Sequence, residues 1–248
     1  ARALRAANTR ANLENELFGM YMDDNFIAKA EAWKQRHGGK KAGYREMIPG
    51  DDFDLGEDGS ALYYADWDVV GIMFRDWKPA QSHNISIQGT SGKTSYFLSV
   101  GYNHEEGVMT FNPDKLNKYN ANMNVTSDIT NWLQIGGRFS YSDKAYTTPN
   151  TRRNTYTYMW RWGSFFGPYG TYQGIDMKND IAYLKQAGDD KTNDSYTRIG
   201  AFLKATIIKG LTLNADYTFN INNKTTKSVG LPVICWNSWG GKLNTPTT

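Results

Sequence analysis

The sequence predicts an all-β fold: a segment of a large antiparallel β-barrel of the membrane-spanning kind, with a short helical N-terminal segment. Three observations carry that prediction. From residue 82 onward, apolar residues recur with a period of two. The connections between the alternating segments run short, long, short, long, short. Aromatic side chains gather at the ends of the apolar rows.

Residues 1–80 stand outside the alternating pattern and are expected to be an irregular or helical segment. Leu13, Leu17, Met20, Phe26, Ile27, Ala30 and Trp33 fall at roughly helical spacing, and Gly38 and Gly39 would stop such a helix. A helical, poorly packed segment is expected here. The acidic, glycine-rich stretch that follows, "PGDDFDLGEDG", invites a calcium reading. An EF-hand loop begun at Asp52 would place Gly56 at its fifth position and Tyr63 at its twelfth, where an acidic ligand is needed. The expectation for 51–58 is therefore a solvated acidic loop rather than a calcium site, and no cofactor is expected.

Residues 81–222 hold six alternating segments. Ile85 and Ile87 face one side of the first, opposite Asn84, Ser86 and Gln88. Tyr96, Leu98, Val100 and Tyr102 mark the second, where Phe97 interrupts the polar row. Tyr119, Ala121, Met123 and Val125 alternate with Lys118, Asn120, Asn122 and Asn124 in the third, and Leu133, Ile135, Phe139 and Tyr141 with Gln134, Arg138, Ser140 and Ser142 in the fourth. Ile199, Ala201, Leu203, Ala205 and Ile207 alternate with Arg198, Lys204 and Thr206 in the fifth. In the sixth, Leu211, Leu213, Ala215, Tyr217, Phe219 and Ile221 alternate with Thr212, Asn214, Asp216, Thr218 and Asn220. The short connections are "SGK", "SDITN" and "IIKG"; the long ones, 105–116 and 144–194, would be extracellular loops. Residues 223–248 read as the start of a further loop or strand.

The alternative is a non-transporting, carbohydrate-binding β-sandwich, which also alternates, with its apolar face packed on a second sheet. Lipid is favoured here by the charged Arg138, Lys204 and Asp216 among rows of Asn, as a wet lumen would carry, and by tyrosines at both ends of the strands. No run of 18 apolar residues is present, which leaves no transmembrane helix and says nothing against strands. Six strands fall short of the eight or so that close a barrel, so a larger sheet is expected.

Chemistry is thinly represented. "GTSGKTS" at 89–95 has the ending of a phosphate-binding P-loop, but Ile87 stands where its first glycine is needed, and a strand follows instead of a helix. A hairpin turn at Gly92 explains the same letters. His37, His83 and His104 are scattered, Cys235 has no histidine nearby, and no catalysis is expected. A net charge of only +3 argues against a general nucleic-acid grip. The stretch "YTYMWRWGSFFGPYGTYQG" is the densest in aromatics. Tyr158, Trp160, Trp162, Phe165, Phe166, Tyr169 and Tyr172 there would either pack the loop onto the barrel mouth or stack on a substrate.

Residues 64–109 have the order Asp66-Trp67, Gln81-Ser82-His83-Asn84-Ile85-Ser86, Gly89, Lys93-Thr94, Tyr96, Ser99, Gly101-Tyr102 and Glu106-Gly107. With "DITNWLQIG", "MWRWGSFFGPYGTY" and "IIKGLTLNADYTF", this order resembles the SusC/RagA family of TonB-dependent outer-membrane transporters. The resemblance covers about residues 60–222 and is looser over 1–59. It implies a twenty-two-stranded barrel filled by an N-terminal plug, in the outer membrane of a Gram-negative bacterium. It also implies import of glycans or peptides, a SusD-like surface lipoprotein as partner, contact with outer-membrane lipid, and energy from TonB through the N-terminal part. A signal peptide, TonB box, plug and closing strand are not found here. The chain is therefore expected to be an internal piece of such a transporter, unable to transport alone.

Overall fold

The computed structural model describes residues 6–7, 9–10, 16–17, 20–21, 23–161, 168–237 and 243–247. Where alternation predicts strands, strands form. They are β1 (Ala80–Ser91), β2 (Thr94–Glu106), β3 (Lys115–Asp128), β4 (Leu133–Pro149), β5 (Asp189–Ile208) and β6 (Leu211–Ser228). They pair in chain order into one open, antiparallel, six-stranded sheet. Among the described residues the sheet does not close into a barrel; the architecture is mostly antiparallel sheet with a few short helices.

Register aligns the alternation across the whole sheet. Ile87, Leu98, Met123, Phe139, Ile199 and Phe219 stand directly opposite one another, one per strand. One step along, on the other face, stand Ser86, Ser99, Asn122, Ser140, Arg198 and Asn220. A slip of one residue in any strand would exchange its two faces, so the uniform pattern and the register support each other.

Short turns gather at one end. Gly92 has φ +59°, and Ser91 pairs with Thr94 around it, leaving Gly92–Lys93 as a two-residue hairpin loop. A glycine with positive φ at the first of two loop positions is what a type II′ turn requires. Thr130 Oγ1 accepts from the backbone N–H of Trp132 and Leu133 in the second turn. Gly210, at φ +87°, closes the third.

At the other end the strands run further than expected. They lengthen from 12 residues in β1 to 20 in β5. The connections are accordingly shorter, 107–114 and 150–188, than the expected 105–116 and 144–194. Beyond the apolar rows both faces of β4, β5 and β6 are polar, so period two no longer marks the strands there.

The N-terminal segment is better packed than its sequence suggests. Helix α1 spans Asp24–Arg36; the Asp23 side chain caps it by accepting from Phe26 N, Gly38 and Gly39 follow with positive φ, and Leu13 lies outside the described residues. Phe26 and Trp33 are buried in a core with Phe53 and Tyr63 of a small hairpin (Phe53–Leu55 with Ala61–Tyr63). Trp67, with Val69, Ile72 and Met73 of helix α2 (Val69–Met73), completes this side. Met177 and Ile181, the latter from helix α4 (Asp180–Gln186), close the other side; helix α3 (Arg152–Arg161) lies just before the undescribed 162–167. These segments form a lobe at the long-connection end of the sheet. Arg75 anchors it there, with Nη2 2.9 Å from Glu106 Oε2 and 2.7 Å from Gly107 O at the end of β2.

Candidate functional site

The sheet presents two unlike surfaces. On one face Ile85, Ile87, Leu98, Val100, Met123, Ile199, Leu213 and Phe219 are all exposed, and no other part of the described chain covers them. On β6 this apolar run extends from Leu211 to Ile221. Ten residue steps at about 3.4 Å, inclined by about 40°, span roughly 26 Å, the height of a barrel's lipid-facing band. Its border on the lobe side is aromatic: His83, Tyr102 and Tyr119 stand side by side, with the tyrosine rings 5.0 Å apart. The same row continues across β4, β5 and β6 as Asp143, Ser195 and Asn223, which are at home in water.

The opposite face is polar. Arg138 and Asp216 meet there, Nη1 to Oδ2 at 2.9 Å. The Arg138 guanidinium also lies over the Phe202 ring, 4.5 Å from its centroid. Phe202 in turn lies across Gly136, where a Cβ would come within 2.3 Å of the ring. The glycine thus makes room for an aromatic on the polar face. Lys204 shares this face, opposite Gln134 and Asn214, and is exposed. Arg198 donates Nε–H to Asn220 Oδ1 at 3.0 Å.

The lobe is held by two carboxylate hubs. Asp52, 1 % exposed, accepts from Arg45 at 2.6 and 2.7 Å, from Trp33 Nε1 at 3.0 Å and from Ile48 N at 2.9 Å. Burial alone would push its carboxyl up; the Arg45 guanidinium and the other donors outweigh that and hold it below the usual range. Its neighbours in the acidic loop face protein partners too: Asp51 takes Arg36 and His37, and Asp54 takes Lys29 and Tyr64. Among the described residues no group of three or more His, Cys, Asp or Glu is placed to share a metal ion. The second hub is Asp176, which accepts from Tyr44 Oη, from Lys185 Nζ at 3.0 Å and from Gln186 Nε2 at 3.0 Å.

The aromatics singled out in the sequence divide. Tyr169 is 3 % exposed in the lobe core. Tyr172 is half-buried, its ring 5.3 Å from that of Phe53 and its carbonyl accepting from Trp236 Nε1 at 2.7 Å. Both side chains hold the lobe together. Trp162, Phe165 and Phe166 lie outside the described residues, as do the side chains of Tyr158 and Trp160 on α3. Sequence reading missed Asp52 and Asp176 as hubs, because their donors come from positions up to 132 residues away.

No family model and no curated protein matches the chain. Solved structures do. A chain of the RagAB peptide importer in its open–open state is 18 % identical, with a TM-score of 0.56 over 91 % of this chain and 25 % of that one. A chain of the same importer in its closed–closed state is 23 % identical, with a TM-score of 0.51 over 68 % of this chain and 20 % of that one. The likeness is one of fold. This chain spans a quarter or less of the length of the chains it matches.

Proposed function

We infer that the chain is a wall segment, with its external lobe, of a SusC-like TonB-dependent importer in the outer membrane. The observation that carries this reading is the uncovered apolar face. It runs across six strands at lipid-band height, with a charged and amide-rich face behind it. In water such a face would drive aggregation; in a bilayer it is the wall. A carbohydrate-binding β-sandwich would need a second sheet on that face, and the remaining described strand pairs are all two-stranded.

In this reading the polar face lines the lumen, and the short turns point to the periplasm. The lobe stands at the cell surface, where a SusD-like lipoprotein would close over it. The cargo is an oligosaccharide or a peptide, and the protein works as an importer, not an enzyme. The fold likeness to a peptide importer supports this assignment.

Topology is the test. In the full-length protein with Cys235 replaced by Ser, single cysteines at Glu57 in the lobe and at Ser91 by the first short turn are both exposed. A membrane-impermeant thiol reagent on whole cells should label Glu57→Cys and spare Ser91→Cys. Labelling of Ser91→Cys alone would invert the topology, and equal labelling of both in a soluble fraction would remove the membrane.

A further inference from the structure

On the polar face, just on the lobe side of the apolar band, register sets Lys118 of β3 directly opposite Lys144 of β4. Lys144 faces Asp194 of β5, and Asp194 faces Lys224 of β6. Four adjacent strands thus contribute one row with three ammonium groups and a single carboxylate. The three lysines are exposed, and among the described residues no carboxylate lies within ion-pair distance of any of them.

Directly opposed residues in an antiparallel pair hold their Cβ atoms about 5 Å apart, and like charges there are destabilising. A wall built only for stability would alternate the signs, as Lys144, Asp194 and Lys224 do, and would not set Lys118 against Lys144. The nearest other acids are engaged elsewhere. Glu105, further toward the lobe, is 3.6 Å from Lys78, Asp114 is 3.7 Å from Arg152, Asp190 accepts from Ser228 Oγ, and Asp216, much deeper in the face, is held by Arg138. Between the row and Asp216 the next charge is positive again: Arg198, bonded only to the neutral Asn220 and Tyr196 among the described residues. A local rule broken without structural benefit is expected at functional positions.

We propose that Lys118, Lys144 and Lys224 form a selectivity row for cargo bearing carboxylate groups. The row lies across the mouth of the polar face, where an oligomer leaving the lobe would first meet the wall. Lysines on flexible stems can follow carboxylates at irregular spacing, and a concave low-dielectric wall strengthens their field over that in bulk water. Arg198 lies two rows deeper and extends the positive track. This assignment rests on the importer reading for its direction of travel, but its binding chemistry can be measured separately.

The test uses the full-length protein purified in detergent and a Lys118→Gln/Lys144→Gln/Lys224→Gln variant. The probes are fluorescent oligoglutamate, oligogalacturonate, oligoserine and an uncharged oligoglucose. At low salt the native protein should bind at least one acidic probe more tightly than its neutral counterpart. The variant should lose about tenfold of that affinity, the sum of a few partly exposed ion pairs, while neutral probes are unaffected. High salt should reduce the native protein to the variant's level. Which acidic probe responds tells peptide carboxylates from uronates. Equal affinity of native and variant protein for both acidic probes overturns the proposal, as does a parallel loss for neutral probes. A variant melting below the native protein would give the lysines a structural role and also overturn it. Absence of the protein from the outer membrane would sink the importer reading and leave the binding result standing.

Discussion

Arg45 grips Asp52 at two points, Nη1 to Oδ2 at 2.6 Å and Nη2 to Oδ1 at 2.7 Å, and Asp52 also accepts from the Trp33 indole and Ile48 N. The Arg45 guanidinium also sits 5.7 Å from the ring of buried Trp67. The pair therefore ties the acidic loop, α1 and the segment before α2 into one body. Asp52→Ala removes the acceptor for the Arg45 guanidinium, the Trp33 indole and Ile48 N at once. It should cost the lobe about 3 kcal/mol, read as faster proteolysis of the lobe under native conditions. The pH dependence has a definite sign. The folded pKa of Asp52 lies below its unfolded value. The stability it contributes is thus complete above about pH 4 and is lost as pH falls through the folded value. Native protein should lose its proteolytic protection in that acid range; Asp52→Asn should start lower and change less.

Gly170 fits where no other residue would. A Cβ there would lie 2.3 Å from the carbonyl oxygen of Arg45 and 2.7 Å from the Trp67 ring. Backbone cannot yield as a flexible side chain can, so Gly170→Ala should cost about 2–3 kcal/mol by overpacking. Gly174→Ala, which has open space but φ +74°, should cost nearer 1 kcal/mol. Thermal unfolding followed by tryptophan fluorescence would rank the two, since Trp33 and Trp67 both lie in this core.

The wall was legible in the sequence and the lobe was not, for one physical reason. Period-two alternation records two unlike solvents on the faces of a strand, and within the apolar rows those faces differ. Above Asp143 on β4 and below Tyr196 on β5 both faces are polar, so those strand ends give no period even though they pair residue by residue. The lobe core is drawn from α1, a hairpin of two three-residue strands, a five-residue helix and the segment 169–181. Apart from α1, whose helical spacing shows at Phe26, Ile27, Ala30 and Trp33, none is long enough to show a period, and α1 itself gives only two fully buried positions, Phe26 and Trp33. Register was partly legible too. The β3–β4 turn pairs Asp128 with Gln134, and counting back ten residues on each side sets Lys118 against Lys144. Across the long 150–188 connection no such counting is available, and Asp194 and Lys224 joined the row only through the structure.

Asp180 behaves oppositely to Asp52. It sits in the first turn of α4, and burial pushes its carboxyl up to about 6. Its folded pKa exceeds the unfolded one, so the neutral form favours folding. The benefit is complete below about pH 4 and is lost as pH rises through 6. Asp180→Asn should therefore stabilise the lobe by about 1–2 kcal/mol at pH 7 and flatten its stability profile between about pH 4 and 6. Chemical denaturation across that range, native against variant, measures both effects.

The two faces of β3 give the most direct test of which solvent each meets. Met123 lies between Leu98 and Phe139 in the middle of the apolar row, and Asn122, one residue away, lies between Ser99 and Ser140. Arginine at a lipid-facing midplane position costs about 2–4 kcal/mol, whereas on the lumen side water solvates it. Met123→Arg should thus lower the urea midpoint of the membrane-inserted full-length protein sharply, and Asn122→Arg should leave it nearly unchanged. In a soluble sandwich Met123 would face a packed second sheet, and Met123→Arg would unfold the protein in the absence of any bilayer. Comparing the pair in lipid vesicles of increasing acyl-chain length separates the cases. A cost set by lipid should vary with bilayer thickness, because a thicker hydrocarbon layer buries the arginine deeper. A cost set by protein packing should stay constant.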